Sequence, residues 1–357
     1  MINAEQLIKS LLQTVAQHDA SDLHLTVGRY PTIRVNGRLI PQTDHEVLTP
    51  DVVRAILDVI ATQDGKDKFA QEMQLDFSYN YEDKVRFRVN AFTQQGRISI
   101  AFRMIPTKIR TLEELGVPDV LYDFTKFSQG LLLIVGPVGH GKSTTLAALI
   151  NEINHNQEKH IITIEDPIEY VYEQDRCIIN QREVYQDAKS FPAALKSVFR
   201  EDANVVLIGE MRDLETIGTA ITAAETGHLI FATLHTNDSP QTIDRIVDVF
   251  PAHQQNQVRS QLANVLLGVV SQRLVTKADN SGRIPALEIM IKNHAVENLI
   301  RENKTYQIDN VIETSAESGM ISMDKYLVEL VKKGLVSVER AETYSKDPKN
   351  FRLLLEY

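Results

Sequence analysis

Residues 136–144 read GPVGHGKST, directly after the apolar run 131–135 (LLLIV) and before a stretch of helical composition, TTLAALINEI. This feature limits the fold most. Gly136, Pro137, Val138, Gly139, His140, Gly141, Lys142 and Ser143 fit G-x-x-x-x-G-K-[ST], with strand before and helix after as the pattern requires. The glycines allow backbone angles that turn successive N–H groups onto one anion. The helix N-terminus, entered through Thr144, adds partial positive charge. Lys142 is placed for the β- and γ-phosphates of a nucleotide, and the Ser143 hydroxyl for Mg²⁺. ATP with Mg²⁺ is the expected ligand. A loop of this kind sits at the carboxyl end of a strand in a parallel sheet, so the rest of the chain must supply that sheet.

It does so after about residue 113. Short apolar runs (LLLIV, IITI, VVLI and HLIFAT) alternate with helical segments, the pattern of a parallel sheet covered on both faces. From about residue 255 onward the chain reads as mainly helical. The N-terminal part is different. Leu7, Ile8, Leu11, Leu12 and Val15 recur at helical spacing. SDLHLTVG alternates like a strand, TIRVNGRLI reads as a hairpin around Asn36-Gly37, and Thr49-Pro50 opens a helix. The stretches 76–92 and 96–104 alternate again, with Lys84, Arg86 and Arg88 on one face and Val85, Phe87 and Val89 on the other. The expected organisation is α/β: residues 1–105 a mixed domain with antiparallel strands, 106–112 a connector beginning at Pro106, and 113–357 the nucleotide-binding domain.

With 357 residues the chain suits two domains, and 43% apolar with 24% charged residues is ordinary for a globular protein. A net charge of −10 argues against nucleic acid as a partner. The single cysteine, Cys177, leaves no disulfide framework or Cys-rich zinc site and fits a reducing cytoplasm. No signal peptide is expected from MINAEQLIKSLLQTVAQHD, and the best membrane candidate, LANVLLGVV, is short and carries Asn264.

Hydrolysis needs carboxylates near the metal and the attacking water. VVLIGE places Glu210 beyond four apolar residues; Gly209 stands where an Asp is usual, which leaves Glu210 to serve the metal, the water or both. IITIEDPIEY places Glu165 and Asp166 at another strand end, with Glu169 beyond Pro167. Both clusters point toward the loop edge. TGHLIFATLHTND puts His228 and His235 at the two ends of one strand; His235 reads equally as a sensor of the γ-phosphate or of Mg²⁺-bound water, or as a structural histidine.

The order GPVGHGKST, TIEDPIEY, LIGEMRD, TGHLIFATLHTN resembles the Walker A, Asp box, Walker B and His box of the secretion ATPases of type II secretion and type IV pili. SDLHLTVGRYPTIRVNG and RFRVNAF are similar to that family's N-terminal domain. The absence of a four-cysteine motif and the segment AVENLIRENKTYQI resemble its pilus retraction branch. His140 departs from the usual serine, and Glu297 from the usual arginine, the latter pointing also to an accessory relative. The resemblance implies a PAS-like N-terminal domain joined to a RecA-like P-loop ATPase domain with a helical C-terminal part, assembled as a homo-hexamer. It implies an ATP hydrolase that powers pilus retraction and twitching motility, working peripherally at the inner membrane on a pilus platform protein and beside other pilus ATPases. By the same resemblance Lys142 and Ser143 bind phosphate and Mg²⁺, and Glu165 and Glu210 polarise water or hold the metal. His228 and His235 form the His box, and Arg88 and Arg103 aim at the γ-phosphate; a solvated basic sheet face is the plainer reading of the arginines. The rival functions are a pilus or secretion assembly ATPase, a RecA-like nucleic-acid motor, and a nucleotide-switched binding module.

Overall fold

The computed structural model describes residues 3–18, 20–35, 37–81, 85–105 and 108–356, and the chain divides into two units, Met1–Lys108 and Ile109–Tyr357. In the first, the helix Ala4–Gln17 starts at Asn3, whose side chain accepts from the Glu5 and Gln6 N–H groups, and buries Ile8, Leu11, Leu12 and Val15. The helix Pro50–Ile60 starts as the sequence indicates: Thr49 accepts from Val52 N–H, Pro50 occupies the first turn, and Val53, Ile56, Leu57 and Ile60 are buried. With the helix Gln63–Glu72 these pack on an antiparallel sheet of β1 Asp22–Thr26, β2 Thr32–Val35, β3 Arg38–Pro41, β4 Gln74–Tyr81, β5 Val85–Gln94 and β6 Arg97–Ile105. Among the described residues the sheet has six strands in the order β3-β2-β1-β6-β5-β4.

Alternation along these strands sends Phe87, Val89, Ala91, Ile100 and Phe102 into the core, where the Phe87 and Phe102 rings meet edge to face at 6.2 Å. The opposite face carries one cross-strand row: Arg34 pairs with Asp22, Asp22 with Arg103, and Arg103 with Arg88. The expected hairpin is β2 with β3; Asn36 of its turn lies outside the described residues, as does Lys84 between β4 and β5. Of the expected connector 106–112, residues 106 and 107 also lie outside, 108–110 form no regular element, and Thr111 caps the helix Leu112–Leu115.

The second unit contains β7 Gly130–Val135, β8 His160–Glu165, β9 Ile178–Glu183, β10 Val205–Ile208, β11 Leu229–Leu234, β12 Leu266–Thr276 and β13 Arg283–Ile291. Among the described residues these form a seven-stranded sheet in the order β13-β12-β7-β11-β10-β8-β9, parallel except for β12 with β13. The four apolar runs are β7, β8, β10 and β11. Leu131, Leu133 and Val135 of β7 enter one core and Leu132 and Ile134 the other, so helices cover both faces.

The expectation of a mainly helical chain from residue 255 is overturned by β12 and β13. Strands buried on both faces show no period-two pattern, and a continuous apolar run does not separate strand from buried helix. LANVLLGVV straddles the end of the helix Ala252–Val265 and the start of β12. Gly268 is required there: a Cβ would lie 2.7 Å from the Met290 carbonyl oxygen and 2.8 Å from the Phe124 ring. Beyond β13 the chain is helical to residue 356. Among the described residues no helix is long and apolar enough to cross a membrane. β9 also escaped the sequence reading, because four of the six residues in its run IINQRE are polar.

Candidate functional site

The carboxyl ends of β7, β8, β10 and β11 carry the expected motifs to one edge. From Val135 the chain enters the loop through Gly136, whose φ is +143°; a Cβ here would lie 2.4 Å from the Gln272 carbonyl oxygen, so only glycine fits against β12. Gly141, at φ +81°, ends the loop and leads into the helix Lys142–Asn156. Val138 and Gly139 form the exposed crest, Pro137 and His140 are half-buried, and Ser143 and Thr144 lie in the first helical turn. Thr144 Oγ1 is 2.8 Å from the Tyr170 hydroxyl. Gln272 braces the loop twice: its Nε2 donates to the His140 carbonyl at 2.9 Å and its Oε1 accepts from Thr145 Oγ1 at 2.7 Å.

Lys142 Nζ donates to the carbonyls of Gly136 at 2.8 Å and Pro137 at 3.0 Å, and lies 3.2 Å from Nδ1 of His235. The ammonium is a donor only, so Nδ1 accepts and the imidazole proton sits on Nε2, 3.2 Å from Glu210 Oε1. One line of polar groups thus joins Lys142, His235 and Glu210, and Arg212 pairs with the same Glu210 oxygen. Burial lowers the Lys142 pKa, and the charges of Glu210 and Glu169 act against that shift. The hydrogen bond that Arg212 donates to Glu210, then the Glu210 charge, raises the pKa of Arg212.

Glu165 is buried at this edge, as is Glu183 opposite it at the end of β9. Burial pushes the Glu165 pKa up to about 7, although Thr163 Oγ1 donates to this carboxylate at 2.7 Å and Glu169 N–H at 3.3 Å. Asp166 and Glu169 are exposed. The glycine at position 209 has a packing reason: a Cβ would lie 3.3 Å from both Glu165 Cα and the Ile164 carbonyl oxygen, where β8 and β10 run close. Beside Glu210 and His235 opens a cavity of about 520 Å³ whose lining includes Arg212, Ile217, Gln241 and Arg245.

His228 is not brought to this edge. It precedes β11, and the strand of six residues between it and His235 spans roughly 20 Å at about 3.3 Å per residue. Its Nδ1 lies 3.1 Å from the Ala223 carbonyl oxygen and its ring meets Phe199 edge to face at 5.7 Å. In the N-terminal unit, Arg103 Nε donates to Asp22 at 3.0 Å and Arg34 Nε lies 3.4 Å from the same carboxylate. Burial alone would raise the Asp22 pKa, but hydrogen bonds from Ser21 and Arg103 outweigh it and hold the group below the ordinary value. Arg88 is exposed beside Arg103.

A nucleotide triphosphate fits these residues. The loop offers glycine positions that a Cβ would obstruct, a helix N-terminus and a buried lysine. Mg²⁺ bound through phosphates needs only one or two protein oxygens, and the Ser143 hydroxyl in the first turn of the helix with a strand-end carboxylate is a donor set of that kind. Ser143, Glu210 and Glu165 are the candidates. The sequence reading missed Gln272, because β12 was read as helix, and Arg212, which the motif LIGEMRD already displayed.

The family model described as "Type II/IV secretion system protein" matches residues 2–343. The chain is 47% identical to the Pseudomonas aeruginosa "Type IV pilus retractation ATPase PilT" over 348 residues, 96% of this chain and 99% of that one. It is 37% identical to the Pseudomonas aeruginosa "Type IV pilus ATPase PilU" over 348 residues, 98% of this chain and 91% of the relative. The fold superposes on the crystal structure of the pilus retraction motor PilT with bound ADP at a TM-score of 0.90 and 43% identity, covering 96% of this chain and 98% of that one.

Proposed function

The chain belongs to the family of type II/IV secretion system proteins, and from that premise we propose that it is an ATPase motor that powers retraction of type IV pili, the basis of twitching motility. It hydrolyses ATP to ADP and phosphate. The observation that carries the chemistry is the line Lys142–His235–Glu210 at the carboxyl edge of the sheet. Backbone N–H groups of the loop 136–141, Pro137 excepted, cradle the phosphates, Lys142 offsets their charge and the Ser143 hydroxyl takes the metal. Mg²⁺, when bound, supplies charge neutralisation at the transferring phosphoryl group. Glu165, proton-hungry through burial, accepts the proton of the attacking water; Glu210 orients that water or the metal, and His235 holds Glu210 in place. Arg88 and Arg103 add positive charge for the transition state.

In this reading residues 1–105 are the PAS-like domain, 106–112 the connector and 113–357 the RecA-like ATPase. The protein acts as a homo-hexamer, cytoplasmic and peripheral at the inner membrane, on a pilus platform protein and alongside other pilus ATPases. An accessory, PilU-like role is the second reading, favoured by Glu297, which pairs with Lys292 and Arg301 at 3.4 Å where the retraction motif carries arginine. Complementation of a strain lacking only its retraction ATPase separates the two: a motor restores retraction alone, an accessory protein does not. The test of the chemistry is Glu210→Gln, which keeps size and removes charge. Nucleotide affinity is expected to persist while turnover falls at least about 100-fold; loss of affinity in step with turnover makes Glu210 a binding residue instead.

A further inference from the structure

Strand β12 outruns its neighbour. Its pairing with β7 stops at Ser271 opposite Val135, yet β12 continues to Thr276. Among the described residues no strand lies beside 272–276 along that edge, and the loop 136–141 lies in the gap. Leu274 stands opposite Pro285 of β13, which has no N–H to exchange. A pair that exchanges no hydrogen bonds turns the Leu274 N–H away from β13 to the loop side, and leaving this partly buried donor without an acceptor is costly. It finds Nδ1 of His140 at 2.9 Å. One residue thus meets β12 at two points, by its ring at Leu274 and by its carbonyl at Gln272.

We propose that His140 is a positioning residue: its imidazole stands in for the missing strand at the edge of β12 and holds the phosphate loop in its receptive shape. The proposal rests on residues 136–144 being the ATP phosphate site. The ring is suited to the task only when neutral, with Nδ1 free to accept. Burial, then the positive charges of Arg273, Arg283 and Lys142, lower its pKa and keep it so. Side-chain length matters too. Asparagine Oδ1 stands as many bonds from Cα as Nδ1 and can accept the same N–H. Serine Oγ stops one atom short.

The test uses the full-length protein and three variants: His140→Leu, which fills space without an acceptor, His140→Ser, and His140→Asn. Steady-state hydrolysis gives KM and kcat, binding of a fluorescent ATP analogue gives affinity, and hydrogen exchange reports the Leu274 amide. His140→Leu and His140→Ser are expected to weaken ATP binding and raise KM about tenfold, with kcat within about twofold and faster exchange at Leu274. His140→Asn is expected to restore affinity and protection. The serine variant answers if the leucine variant fails to fold. Unchanged affinity and Leu274 protection in either folded variant overturns the proposal, as does an asparagine variant as weak as leucine. Lys142→Ala serves as control: if it also binds ATP normally the phosphate-site reading fails, whereas if it alone loses binding only the role of His140 falls.

Discussion

The two edges of the seven-stranded sheet use the same residue types differently. At the amino edge the polar groups close on one another. The His160 and Asn204 backbones meet, with Asn204 N–H donating to the His160 carbonyl at 2.9 Å and His160 N–H to Asn204 Oδ1 at 2.8 Å. Leu229 N–H donates to Asn204 and Gly130 N–H to His228, both at 3.0 Å. At the carboxyl edge Lys142, His235 and Glu210 line up beside a glycine-lined loop, and Glu165, at the end of β8 on the same edge, holds its proton up to about pH 7. The strands are the same and histidine occurs at both ends of β11. Position at the carboxyl end, where helix N-termini and strand ends converge, decides which histidine faces the chemistry.

The sharpest way to break this contrast is Lys142→Ala. Turnover is expected to fall at least about 100-fold if the side chain neutralises phosphate as proposed, with only a small change in Tm, because the cost of burying the ammonium offsets the two carbonyl hydrogen bonds that it makes. Asn204→Ala should do the reverse and lower Tm with turnover of the folded protein within about twofold, since it removes one hydrogen bond worth about 1 kcal/mol. If the amino-edge variant loses turnover as heavily as the lysine variant, the contrast is wrong.

Next comes the histidine pair. His235→Ala is expected to lower kcat about 10- to 100-fold by releasing Glu210, and His228→Ala to leave it within about twofold. Equal losses in parallel kinetic assays would place His228 in the chemistry after all. If Arg88 and Arg103 act on the transferring phosphate as proposed, Arg88→Ala and Arg103→Ala should each lower kcat about tenfold with smaller changes in ATP affinity, because transition-state charge exceeds that of the bound ground state. Changes below about twofold leave the arginine row as a solvated face.

The smallest effect at neutral pH concerns Glu165. Its folded pKa is raised from 4.5 to about 7, so the folded protein binds the proton more tightly than the unfolded chain. That stabilisation is complete below pH 4.5 and lost as pH rises through about 7. Nucleotide-free protein should therefore lose up to about 3 kcal/mol relative to Glu165→Gln across this window, read by denaturant melts at several pH values. If Glu165 is the proton acceptor, as proposed, turnover should also rise about twofold between pH 7 and pH 8. Parallel stability profiles for the two proteins would remove the raised pKa.

The phosphate loop, the four apolar strands and the helix start at Thr49-Pro50 were legible because each pairs a local pattern with one physical cause. The bridging geometry of His235 was not, since sequence places it only at a strand end and the partner lysine lies 93 residues away. β12 was read as helix because a strand buried on both faces lacks alternation, and Gln272 and Leu274 went unseen with it. Gly209 looked like a missing aspartate; only the close approach of β8 supplies its reason.

The most direct measurement is pilus retraction, followed by fluorescence on live cells, in a strain deleted for its own retraction ATPase and carrying either this chain or its Lys142→Ala variant. Wild type is expected to restore retraction and normal pilus number, and the variant to leave cells with long, static pili. Pili that vanish when the chain is absent, or retraction that survives Lys142→Ala, would contradict an ATP-driven retraction motor.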